Sequence, residues 1–187
     1  MSSNSKDAIL AAARLVAQAR GYGGLNFRDL ADAVGIKAAS IYYHFPSKAD
    51  LGAAVAKRYR KDNADALEAL AIETGDPAAS LKRYPDTFRA ALTNGNRMCL
   101  ASFMAAEYDE LPQPIRIEIQ AFADVNVAWL ADRLIDAELA DAGHARARAR
   151  AIFAAVSGAQ LMARSRADLS LFDQIIANYR DAGLLPL

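Results

Sequence analysis

The chain has 187 residues, 53% of them hydrophobic and 24% charged, a balance that excludes disorder; no apolar run nears the roughly 18 residues of a membrane span. Formal net charge is zero, yet residues 1–60 carry nine Lys/Arg against four Asp/Glu and residues 61–187 thirteen against eighteen, so a +5 front precedes a −5 body. One cysteine, Cys99, and two histidines, His44 and His144, exclude an intrachain disulfide and argue against a cysteine-rich or multi-histidine metal centre.

Forty-three alanines, with only six prolines and ten glycines between them, predict an all-α protein of about nine helices. Ser5 is the expected cap of a first helix reaching Arg20, with Ile9, Leu10, Ala13, Val16 and Ala17 on one face, and GYGG at 21–24 stops it. Asn26, three residues before Asp29, starts a short second helix through Leu30, Ala31 and Val34, and Gly35 supplies the turn. A third helix follows at once, about Ala38 to Phe45, with Ile41 and Phe45 facing inward. Two short helices around a glycine turn, in the basic part of the chain, form a helix-turn-helix pattern. Pro46 ends the third helix, and SKAD at 47–50 caps a long fourth reaching about Ala71, whose amino end beside Lys48 is a ready anion site.

Asp76 and Pro77 open a fifth helix to about Thr93, which Pro85 should kink or split. Asn96 is expected to cap a sixth, Arg97 to Tyr108, placing Cys99 in its first turn, where the helix dipole favours a thiolate. A seventh helix after LPQP should run to about Ala140, burying Ile115, Ile119, Phe122, Trp129, Leu130 and Leu134. Two more, His144–Arg164 and Asp168–Arg180, complete the set. Small residues in the eighth and Leu169, Phe172, Ile175, Ile176 and Tyr179 in the ninth leave more apolar surface than one fold-back covers, so a second copy is expected there.

The stretch from Ile9 to Leu51, above all LNFRDLADAVGIKAASIYYHFPSKADL, resembles the amino-terminal DNA-binding domain of TetR-family transcriptional regulators. The resemblance implies a helix-turn-helix domain over residues 1–50 and an effector-binding and dimerisation domain over residues 51–187. It further implies a homodimer through the last two helices that binds a pseudo-palindromic double-stranded DNA operator and leaves it on meeting a small molecule. Repression is the expected outcome, with activation as the alternative. The segment NRMCLASFMAAEYDELPQPIR is also similar to members with a cysteine here, some of which answer reactive electrophiles, so an electrophile- or redox-responsive repressor sensing through Cys99 is a second alternative. A buried core cysteine is the plainer reading.

On this resemblance Lys37, Ala38, Ala39 and Ser40 lie near base edges and Tyr42 touches a base or sugar. Tyr43, His44, Lys48 and Arg28 meet phosphates, with the amide end near Asn26 and Phe27. The plainer reading makes the tyrosines packing residues and the cations ordinary surface. Lys37 departs from the pattern of these proteins, which often have a capping Ser or Thr there; it is no acceptor, so either the helix start is supported otherwise or Lys37 is freed to contact DNA. Candidate effector-lining residues are Tyr84, Phe88, Met98, Cys99, Phe103, Met104, Phe122, Asn126 and Trp129, though such stripes also suit plain core. Asn126 and Gln160 are polar groups on apolar faces, and in HARARAR only Arg146 and Arg150 share a face. No GxSxG elbow, phosphate-cradling glycine loop or HExxH helix occurs, so neither an enzyme nor a cofactor is expected; with no apolar span and a start, MSSNSKDAIL, unlike a signal peptide, a cytoplasmic location is expected.

Overall fold

The computed structural model describes residues 2–186, with side chains from residue 5 onward. Among the described residues the chain forms ten α-helices and one 3-10 turn: α1 Ser2–Arg20, α2 Phe27–Val34, α3 Ala38–His44, α4 Lys48–Thr74, α5 Pro77–Arg83, α6 Asp86–Thr93, α7 Leu100–Ala105, the 3-10 turn Tyr108–Glu110, α8 Gln113–Asp136, α9 Ala145–Ser165 and α10 Leu169–Asp181. The expected fifth helix is two: Pro85 has no N–H to continue the ladder past Tyr84, so α5 and α6 part there. None of these helices is long and apolar enough to cross a membrane.

Two compact units emerge, residues 1–62 with 100–122, and residues 63–99 with 123–187. In the first, α1 packs against α2, α3 and α7. Ile9, Ala13 and Ala17 are fully buried on α1, and Leu30, Ile41 and Leu51 lie beneath the surface at 1% exposure or less. Ser5 sits inside α1 rather than at its cap, because the helix already begins at Ser2. Gly52 lets α4 approach α8 closely, since a Cβ there would stand 2.6 Å from Ile115 Cδ1 and 3.0 Å from the Tyr22 ring.

In the second unit α9 packs on α10 and α6. Asp76 and Asp168 cap α5 and α10, each side chain accepting from two amides of the first turn. Phe172 and Ile176 of α10 are buried, whereas Leu169, Ile175 and Tyr179 are half-buried. α8 stops at Asp136, short of the expected Ala140, because Glu138 turns to a φ of 56° and Leu139 N–H returns to the Leu134 carbonyl.

Residues 94–97 correct another expectation. Asn96 does not cap a helix; it has a φ of 53° and its amide donates to the Arg164 carbonyl. Its own N–H, and that of Arg97, return to the carbonyls of Leu92 and Ala91. The segment therefore closes α6, and α7 starts only at Leu100.

Candidate nucleic-acid interface

Asn26 is extended, and its Oδ1 accepts from the N–H groups of Arg28 at 2.8 Å and Asp29 at 3.3 Å, which fixes the start of α2. Gly35 ends the helix in the left-handed region, φ 73°, and Ile36 N–H bonds the Ala31 carbonyl. The sharp reversal sets α3 across α2. Ile41 at 0% exposure and Phe45 at 3% anchor α3 from behind, and full burial of such side chains stabilises by about 1.5–3 kcal/mol each.

The outer side of α3 is open. Tyr43 is 81% exposed and Tyr42 57%, and Lys37 and Ala39 are exposed beside half-buried Ala38, Ser40 and His44. Tyr42 is braced by Phe27, ring centroids 4.7 Å apart. The Lys37 side chain makes no cap bond, as its chemistry requires.

Next to this face lies a cleft lined by Leu25, Asn26, Phe27, Arg28, Ala38, Tyr42 and Lys48. Two cations and an amide-bearing helix start converge there, a chemistry suited to a phosphodiester. At its edge Ser47 and Asp50 form a reciprocal cap, with Asp50 N–H donating to Ser47 Oγ at 3.1 Å and Ser47 Oγ donating to Asp50 Oδ2 at 2.7 Å. Lys48 donates from Nζ to the Gly23 carbonyl at 3.1 Å and lies 4.6 Å above the Tyr22 ring centroid. The turn of residues 21–23 thus reaches the cleft, a role beyond the helix stop that GYGG signals in the sequence.

The expected effector-lining residues divide between the two units. In the second, Tyr84 is fully buried, donates to Asn126 Oδ1 at 3.0 Å, stacks on Trp129 with centroids 5.9 Å apart, and meets Phe88 at 5.8 Å. Burial pushes its phenol well above the usual range, and an electrostatic contribution from Cys99 adds to this. Gln160, also fully buried, accepts from Cys99 N–H at 2.9 Å and donates to the Phe88 carbonyl at 2.6 Å. Met98 is buried in the same unit. Phe103, Met104 and Phe122 belong to the first unit, where Phe122 stacks on Tyr59 at 5.4 Å. Cys99 is 2% exposed and lies just before α7, not in its first turn, because residues 94–97 complete α6. Among the described residues no cluster of three His, Cys, Asp or Glu is placed to hold a metal ion.

Residues 9–55 match the family described as bacterial regulatory proteins, tetR family, and residues 77–178 match the transcriptional regulator LmrA/YxaF-like, C-terminal domain. A TetR-family transcriptional regulator from Agrobacterium tumefaciens is similar at 28% identity and TM-score 0.90, over 97% of this chain and 98% of that one. A TetR transcriptional regulator from Legionella pneumophila is similar at 29% identity and TM-score 0.88, over 95% and 96%. The reduced form of E. coli NemR shares the fold at 20% identity and TM-score 0.82, over 95% and 96%. No curated protein matches the chain. With its helix-turn-helix and its larger helical part both matched, the chain belongs to the TetR family of bacterial transcriptional regulators.

Proposed function

We propose that the protein is a ligand-responsive repressor that binds a pseudo-palindromic operator as a homodimer, with residues 1–50 gripping DNA and residues 51–187 binding the effector and the second copy. The observation that carries the reading is the outer side of α3: its apolar residues point inward, while Lys37, Ala39, Tyr42 and Tyr43 stand exposed beside the cleft of Arg28 and Lys48. In the complex Lys37, Ala38, Ala39 and Ser40 face base edges in the major groove. Tyr42 contacts a base or sugar, and Arg28, Tyr43, His44 and Lys48 take phosphates. Two such helices about 34–36 Å apart enter successive turns of the duplex.

Dimerisation through α9 and α10 is supported by an uncovered stripe on α9, where Ala151, Ala154, Gly158, Leu161 and Met162 are exposed at helical spacing. Leu161 at 57% and Met162 at 49% are large apolar groups in water unless a second copy covers them. The effector acts by preferring a form in which the two α3 helices no longer match the groove spacing.

Selection from a random duplex pool, followed by gel shift with unrelated competitor DNA, tests the reading. Enrichment of an inverted repeat by a dimer is expected; a purified, folded chain that enriches no sequence refutes it.

A further inference from the structure

Glu107 lies between α7 and the 3-10 turn, 84 residues beyond Gly23, and its carboxylate is held by the backbone of the turn that joins α1 to α2. Tyr22 N–H donates to Oε2 at 2.6 Å and Gly23 N–H donates to Oε1 at 3.1 Å. Successive amides that converge on one anion make a concave oxyanion seat, here filled by the protein's own side chain. Gly21 makes the seat possible: its φ is 69°, and a Cβ at this position would overlap the carboxylate.

Gly23 also meets the cleft described above. Gly23 accepts on its carbonyl from Lys48 Nζ, and Lys48 lines the cleft with Asn26, Arg28 and Tyr42. Gly23 is therefore fixed from both sides, by Glu107 through its N–H and by Lys48 through its carbonyl.

We propose that Glu107 is a positioning residue for DNA binding, which holds the turn of residues 21–23 so that Lys48 is presented to a phosphate in a preformed cleft. The inference rests on the DNA-binding reading above. It also makes a prediction opposite in sign to plain electrostatics. Neutralising a carboxylate on a DNA-binding unit removes repulsion from phosphates and by itself tightens binding. Loss of positioning weakens it, because the freed turn must be ordered again when DNA arrives.

The test uses the duplex that the wild-type full-length protein selects from a random pool, with affinity read by fluorescence anisotropy and folding by circular dichroism and urea midpoint. Glu107→Gln is nearly isosteric but offers an NH2 where one amide donor needs an acceptor, so the fold is kept and the seat is broken. Expected are a loss of roughly ten-fold in affinity for E107Q and E107A, the scale of one charge-assisted hydrogen bond, an unchanged salt slope, and a loss that shrinks to about two-fold or less when E107A is made in the K48A background. Folded E107Q that binds as tightly as wild type, or more tightly, overturns the proposal. A ten-fold loss that persists undiminished in the K48A background also overturns it, since Glu107 then does not act through Lys48. If the wild type selects no duplex, the DNA-binding reading itself fails, which separates the two.

Discussion

Lys48→Ala gives a quantitative handle on the cleft. The ammonium has three N–H groups; one is spent on the Gly23 carbonyl at 3.1 Å, and the Tyr22 ring lies below it. On the proposed DNA-binding reading, those left serve one phosphate. Each phosphate neutralised contributes about 0.9 to the slope of log K against log salt, so the variant's slope should be shallower by ~0.9. Between roughly 50 and 200 mM salt the wild-type advantage over K48A then shrinks about 3.5-fold. Affinity at low salt falls by about 1.5–3 kcal/mol, the scale of a hydrogen bond to a charged group. Neither loss depends on sequence, so the ratio of selected to random duplex affinity stays constant. Anisotropy titrations of both duplexes across the salt series measure all three quantities. An unchanged salt slope, or a specificity ratio that collapses in K48A, refutes the assignment of Lys48 to a phosphate.

Gln160→Leu should destabilise the second unit by about 1–3 kcal/mol, because it leaves the buried Cys99 N–H without an acceptor; a urea midpoint within error of wild type contradicts this. Cys99, at 2% exposure, should resist alkylation in the native protein and react fully in urea, as mass spectrometry of intact protein will read; rapid native labelling with loss of DNA binding returns the sensor alternative. Asp168 is held below the usual carboxylate value of 3.8 by the Ser170 hydroxyl and then by the amides of Leu171 and Ser170. A depressed carboxylate stabilises the fold above its unfolded pKa, and that contribution is lost as pH falls through the folded value. Asp168→Asn, which keeps an oxygen for the cap, should therefore flatten the acid limb of a stability curve below about pH 4, and an unaltered limb counts against it.

The helix-turn-helix was legible because every signal for it is local. Asn26, Gly35 and Pro46 punctuate the chain, and Ile41 with Phe45 mark the inner side of α3 at a spacing of four. The same local logic misread Asn96: as a sequence signal it caps a helix, but Arg164, 68 residues away, takes its side chain and the segment closes α6 instead. Glu107 was silent for a similar reason. Nothing between GYGG and AAEYDE says that two backbone amides will seat that carboxylate, because backbone donors carry no residue code. For the effector candidates, apolar spacing marks burial without marking which unit a side chain joins. Tyr84, Asn126 and Trp129 do meet, whereas Phe103, Met104 and Phe122 sit in the other unit.

The division of labour on α3 has a practical consequence for engineering. Its seat in the protein depends on Ile41 and Phe45, while Ala39 is exposed and the Lys37 side chain makes no cap bond. On the proposed reading, a library randomised at positions 37 and 39 would thus sample new target sequences on an intact scaffold, and would yield switches that keep the response to the proposed effector while answering to a different operator.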